Sequence, residues 1–281
     1  MQYNAFDDQY KGCENEMYSI ALQLLQDEKK SNQILQSAWA EAQNMWHKEI
    51  KKKVSPLPSG FRDEYGIALL MYTGRDFYSD FNRALRTNGR SQNYYENNFH
   101  YKAVHFYLTR ALQLLPKVSC TTQLYRGCKE KFTHQGTGPI RFGQFTSTSW
   151  NRSVSKNFGT GTFFTIQACL GVSISKFSYF ANEEEVLIPV NEVFIVSAKK
   201  GNDAFNLTST KTTFACFNCA LLGCELRGKS LIFLFVCLLL LPELPMPLLL
   251  FRVYVCLCVC VCLCVCVQSV SFLLPHSTVN A

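Results

Sequence analysis

Three short stretches hold the side chains best suited to chemistry: Leu124-Tyr125-Arg126-Gly127, Phe145-Thr146-Ser147-Thr148-Ser149, and Glu183-Glu184-Glu185 running into Val186-Leu187-Ile188-Pro189. Arg126 ends a β-leaning run that begins at Thr121. Its guanidinium is permanently charged and offers a planar donor fork that matches phosphate or carboxylate. Gly127 beside it lets a ligand approach the backbone closely. If the second stretch is extended, Phe145, Ser147 and Ser149 share one face, with Thr146 and Thr148 on the other. Two hydroxyls so placed can bond a ligand and orient a carboxylate. In an extended third stretch Glu183 and Glu185 share a face while Glu184 points away. Carboxylates that close resist ionising together, so one pKa rises unless a cation sits beside them. That suits acid–base work. Each stretch alone also fits a plainer role: a surface arginine, a threonine-rich edge strand, a solvated acidic turn. Their order points to a site that holds an anionic cofactor and acts on a sugar bond.

Taken together, the three stretches resemble the arginine-specific mono-ADP-ribosyltransferases of the vertebrate ecto-enzyme type, with their Arg…Ser-x-Ser…Glu-x-Glu signature. The likeness runs from Phe6 to Cys219. It includes Phe6-Asp7-Asp8-Gln9-Tyr10, Ala68 through Thr73, Ala111 through Leu115, Gly143-Gln144-Phe145-Thr146-Ser147 and Glu183 through Pro189. The resemblance implies an α+β fold, with an N-terminal helical lobe on a strand-rich core of two small sheets. It also implies NAD as co-substrate, transfer of ADP-ribose to arginine-containing acceptor proteins, release of nicotinamide, and no metal. Breaking the nicotinamide–ribose bond builds an oxocarbenium-like cation, as in glycoside hydrolysis. By family position Glu185 stabilises that cation, Ser147 bonds the ribose and holds Glu185, and Arg126 grips the phosphate and ribose side with Gly127 beside it. Glu183 matches the arginine-selecting carboxylate. Tyr72, Gln144 and Ser178 match further cofactor contacts, and Phe163 is placed to stack on nicotinamide. An NAD glycohydrolase, or a catalytically silent membrane-anchored binding protein of the same fold, is the alternative.

Those side chains need a scaffold, and the apolar spacing supplies one. The first ~115 residues read as helical. Met17, Ile20, Ala21, Leu24 and Leu25 make one face, and Leu35, Ala38, Trp39, Ala42 and Trp46 the next. Phe77, Phe81 and Leu85 mark a third. Tyr101, Val104, Leu108, Ala111, Leu112 and Leu115 mark a fourth, halted by Pro116. From Cys120 to Lys200 the texture changes to short β-branched and aromatic runs broken by glycine. The expected division is 1–118 helical lobe, 119–227 strand-rich NAD-binding core and 228–281 apolar tail.

Other patterns carry less. Gly223 through Ser230 fits G-x-x-x-x-G-K-S, but an apolar run follows it instead of a soluble helix, so the match is chance. The sequence has no Gly-x-Gly-x-x-Gly, which excludes Rossmann-type NAD binding. The five histidines lie scattered, away from metal-ligand spacing with cysteine. A net charge of +7 over 281 residues, without a basic stripe, does not point to nucleic acid. A monomer is expected.

Fourteen cysteines divide between the domain and the tail. The resemblance pairs Cys13 with Cys219 and Cys120 with Cys169, leaving Cys128, Cys216 and Cys224 over. Such bridges imply an oxidising compartment, hence an extracellular protein, secreted or membrane-anchored. Asn151-Arg152-Ser153 and Asn206-Leu207-Thr208 are glycosylation sequons, of which Asn206 is favoured because Asn151 abuts the Ser147 strand. Met1 to Ala5 lacks the apolar region of a secretory signal, so an upstream exon is expected. Leu231 to Phe251 is apolar enough for a membrane span or a removable anchor signal, though three prolines and Glu243 interrupt it. From Val255 to Val267 cysteine alternates with valine and leucine. A TG dinucleotide repeat translates as alternating valine and cysteine, so this tail reads as translated non-coding sequence. The rival is a lipid-inserted or palmitoylated tail.

Overall fold

Helix α1 (Glu14–Ser31) buries Met17, Ala21 and Leu25 along one stripe, with acidic residues in its first turn and lysines in its last. That polarity matches the helix dipole. Ile20, expected on the same stripe, is exposed at its margin. In this computed structural model the described residues are 2–133, 138–198 and 204–223. Helix α2 (Gln33–Met45) is capped by Asn32, whose side chain accepts from Leu35 N, and buries Leu35, Trp39 and Ala42. A π-turn, Trp46–Ile50, and a short α3 (Lys51–Val54) extend it.

Helix α4 (Asp63–Thr73) is buried on every side from Tyr65 to Tyr72. A helix apolar all round has no stripe for spacing to detect. Gly66 lets it seat Trp46, since a Cβ there would lie 2.2 Å from the indole ring. Helices α5 (Tyr78–Thr87), α6 (Gln92–Asn98) and α7 (Lys102–Leu114) complete the lobe. The α7 N-terminus is held by Glu28 of α1, whose carboxylate accepts from Lys102 N at 2.6 Å and Ala103 N at 3.1 Å.

The strands are β1 (Gln123–Cys128), β2 (Thr146–Ser149), β3 (Thr162–Gln167), β4 (Val172–Ser173), β5 (Glu185–Ile188), β6 (Glu192–Ala198) and β7 (Ala204–Thr213). A short helix, α8 (Arg152–Asn157), follows β2. The two small sheets expected are in fact one, in the order β4-β5-β2-β1-β3-β7-β6. Its halves meet at a single rung, Tyr125↔Ser149, beyond which β1 and β2 part. The reason lies in the flanking ladders. β1 runs six rungs with β3, and β2 runs four with β5, so each strand follows its own partner. Among the described strands only β3 and β7 pair in parallel. Alternation along β5 sends Leu187 into the helical-lobe core and Val186 and Ile188 into a second core with Leu124, Phe164, Ile166, Phe194 and Leu207.

Residues 1–225 form one unit and 226–281 another. The first unit is closed at its ends. Asp7 is buried against Arg141 and accepts from Cys216 N and Phe217 N. Asp8 accepts from Cys219 N at 2.8 Å and Ala220 N at 2.7 Å. Both expected disulfides are present, Cys13–Cys219 and Cys120–Cys169, and Cys128 and Cys216 stand outside them. Cys224, the G-x-x-x-x-G-K-S run beyond Gly223 and the whole apolar tail lie outside the described residues. No described helix is long and apolar enough to cross a membrane.

Candidate functional site

The three chemistry-bearing stretches converge where β1 and β2 separate. There side chains replace the missing main-chain ladder. Arg126 Nη1 donates to the Ser147 carbonyl at 2.7 Å, and Tyr72 Oη donates to the Phe145 carbonyl at 2.9 Å. Tyr72 in turn accepts from Asn82 Nδ2 at 3.0 Å. Burial pushes the Tyr72 phenol up to about 12, so it stays a neutral donor. On its other side β2 is tied to β5 and the turn before it. Thr148 Oγ1 donates to Val186 O, and Ser149 Oγ to Glu183 O, both at 2.7 Å.

The glutamate stretch is not extended, as expected from alternation, but bent. Glu183 ends a 3₁₀ turn, Ala181–Glu183, and Glu184 takes a left-handed conformation at φ 49°. Glu185 then begins β5. The bend keeps the two outer carboxylates within electrostatic reach while giving them different surroundings. Glu185 is only 6% exposed. Burial pushes its carboxyl up to about 7, opposed by a hydrogen bond from Ser147, reinforced by the charge of Glu183 and opposed again by Arg126. Glu183 is half-exposed. Burial raises its carboxyl too, and the charge of Arg75 pulls it back.

A second guanidinium reaches the same place. Arg86 of α5, half-buried, donates from Nη1 to Gln144 Oε1. Burial first, then the charge of Arg126, depresses its pKa, which sets the two cations close together. Two cations meeting beside a buried acid need an anion between or near them. Arg86 and Asn82 were missed from sequence. Their signal was present: they stand four apart on α5, one face of a helix, next to the buried Phe81 and Leu85.

The remaining expected residues fall into place differently. Tyr72 and Gln144 join the cluster through Phe145 and Arg86. Ser178 is buried and its Oγ accepts from Phe180 N at 3.0 Å, so it braces the turn that carries Glu183. Gly127 is closed on its Cβ side. A Cβ there would lie 2.3 Å from the carbonyl oxygens of Ser155 and Gly159, so the chain's own backbone fills that space. Phe163 stands opposite Gly127 across the β1–β3 ladder, stacks on Tyr125 at 6.2 Å and lies under Arg152. Its strand register puts it on the sheet face opposite Arg126 and Phe164 and, through the row Tyr125–Ser149–Glu185, on the same face as Glu185. Among the described residues no group of His, Cys, Asp and Glu is placed to hold a metal.

Comparison with known proteins gives a consistent result. A family model described as NAD:arginine ADP-ribosyltransferase matches residues 1–214. The T-cell ecto-ADP-ribosyltransferase 2 of Mus musculus is 46% identical over 226 residues, 78% of this chain and 75% of the relative. The ecto-ADP-ribosyltransferase 5 of Bos taurus is 41% identical over 232 residues, covering 78% and 73%. Among solved structures, a mutant of the eukaryotic mono-ADP-ribosyltransferase ART2.2 in complex with NAD superposes with a TM-score of 0.71 at 44% identity, covering 78% of this chain and 96% of that one.

Proposed function

The chain belongs to the NAD:arginine ADP-ribosyltransferase family, and from that membership we propose that the cluster at the β1–β2 seam transfers ADP-ribose from NAD to arginine side chains of proteins. The observation that carries the reading is the setting of Glu185. It is buried, bonded by Ser147, and acted on by the charges of both Glu183 and Arg126. Arg126 and Arg86 are suited to the diphosphate and ribose side of NAD, where a permanent fork of donors gives both charge and orientation. Tyr72, braced by Asn82, fixes the chain at Phe145, two residues before Ser147, and so supports the reading in which the Ser147 hydroxyl bonds the ribose.

As the bond from ribose C1′ to nicotinamide breaks, positive charge develops on the ribose. An ionised Glu185 beside it lowers that barrier because its charge is fixed before the reaction and poorly screened. A guanidine nitrogen of the acceptor then bonds to C1′, nicotinamide leaves with the electron pair, and the acceptor loses one proton. A guanidinium is a poor nucleophile while fully protonated. Glu183, half-exposed at the mouth of the site, attracts it, orients it and takes the proton. The protein works outside the cell, in keeping with its two disulfides.

Incubation with labelled NAD and an arginine analogue tests the assignment. Glu185→Ala is expected to lose NAD cleavage and transfer together. Glu183→Ala is expected to lose transfer and keep part of NAD hydrolysis. Full transfer by the Glu185 variant would overturn it.

A further inference from the structure

The fold treats the two sequons unequally. Asn151 is the N-cap of α8, its Oδ1 accepting from Ser153 N at 3.0 Å and Val154 N at 3.4 Å. Asn206 stands mid-strand in β7, opposite Thr165 of β3 on one side and Ser197 of β6 on the other. Its neighbours Phe205 and Leu207 turn into the second core. Alternation therefore turns Asn206 and Thr208 to the other face. Two rows of side chains cross that face, Tyr125–Thr165–Asn206–Ser197 and Gln123–Gln167–Thr208–Ile195.

These rows floor a groove of about 410 Å³, and Arg152 forms part of its wall. Apart from Leu207 and Arg152, the lining is amide and hydroxyl with one aromatic face. Gln and Asn offer both donors and acceptors, which suits the hydroxyls and acetamides of a sugar. The Tyr125 ring, already stacked on Phe163, offers an apolar surface for the C–H face of a pyranose. Adjacent strands lie about 4.8 Å apart, so Tyr125, two strands from Asn206, is about 10 Å away. That is the span of the first two sugars of an N-linked glycan.

We propose that Asn206 carries an N-linked glycan whose two inner N-acetylglucosamines lie in this groove, against Gln123, Gln167 and Tyr125. Asn151 stays bare as a helix cap. The proposal rests on the extracellular reading, because the donor is the lipid-pyrophosphate-linked oligosaccharide of the secretory pathway. In the transfer a bond forms from Asn206 Nδ2 to sugar C1, the C1–oxygen bond to the lipid pyrophosphate breaks, and the amide gives up a proton. The glycan is carried by β7, four strands along the sheet from Glu185 on β5.

The test uses the full chain behind a supplied secretion leader in cultured animal cells, with both disulfides verified in the secreted product. Enzymatic glycan release in ¹⁸O water marks each formerly occupied asparagine for mass spectrometry. The label is expected at residue 206 in the unaltered chain, absent in Thr208→Ala and unaffected by Ser153→Ala. Release from the folded protein is expected to be roughly three- to tenfold faster in Tyr125→Ala and in Gln167→Ala, as the inner sugars lose their seat. An oxidised, secreted chain with bare Asn206, or equal release rates in all three proteins, would overturn the proposal. Because the leader is supplied, occupancy is read independently of where the natural chain resides, which surface labelling of producing cells decides separately.

Discussion

Two glutamates separated by one residue end up with distinct electrostatic lives, and their coupling is measurable. In the proposed mechanism Glu185 must be ionised to stabilise a ribosyl cation, yet its carboxyl is held up to about 7, first by burial and then by the Glu183 charge. Activity should therefore fall as pH drops through about 7. Replacing Glu183 with glutamine removes a like charge, which favours the ionised form of Glu185. The acid limb of kcat/KM for NAD hydrolysis should then shift to lower pH, while transfer to arginine is lost. A limb that stays put or moves to higher pH would contradict the coupling. At this scale the sequence was informative about Arg126, Ser147, Glu183 and Glu185, because those types occur at tell-tale spacings. It was silent on Arg86 and Asn82, which reach the site from a helix more than thirty residues away. The sequence did not show that the missing side chain of Gly127 also serves backbone packing.

The elements matter through one seam. β1 and β2 share a single rung, and the carbonyls left over are taken up by Arg126 and Tyr72. α8 sits directly on β1 at Gly127, with Ser155 Oγ donating to Tyr125 O at 2.8 Å. Gly127→Ala would force α8 and the Gly159 turn off the strand. Overpacking of this kind costs about 1–3 kcal/mol. Thermal unfolding should show that loss, together with a raised KM for NAD, since Arg126 is the adjacent residue. An unchanged Tm and KM would mean the backbone contact is not tight. Amphipathic spacing was enough to find α1, α2, α5 and α7. It could not find α4, whose burial on all sides leaves no periodicity. Nor could local pattern tell one split sheet from two, because a single rung between distant strands leaves no trace in composition.

At the scale of the whole molecule, the folded unit is held together by its ends. Asp7 pairs with Arg141 at full burial and also receives two backbone N–H groups from the C-terminal segment. Asp7→Asn would leave a buried guanidinium without its counter-charge. Breaking such a pair from one side costs about 3–5 kcal/mol, and chemical denaturation of the oxidised protein should register it. Lys11 and Asn218 add a mutual pair, N–H to Oδ1 at 2.8 Å and Nδ2–H to O at 2.9 Å. The Cys13–Cys219 bridge then closes a span of 206 residues. Covalently, everything between those two cysteines is a closed circuit. A protease that cuts the circuit once, anywhere along it, adds a water molecule but releases no piece. The product keeps both sides of the catalytic seam on one covalent body until a reductant opens the bridge. Outside a cell, where proteases are common and reductants scarce, this enzyme can therefore be nicked without being dismantled.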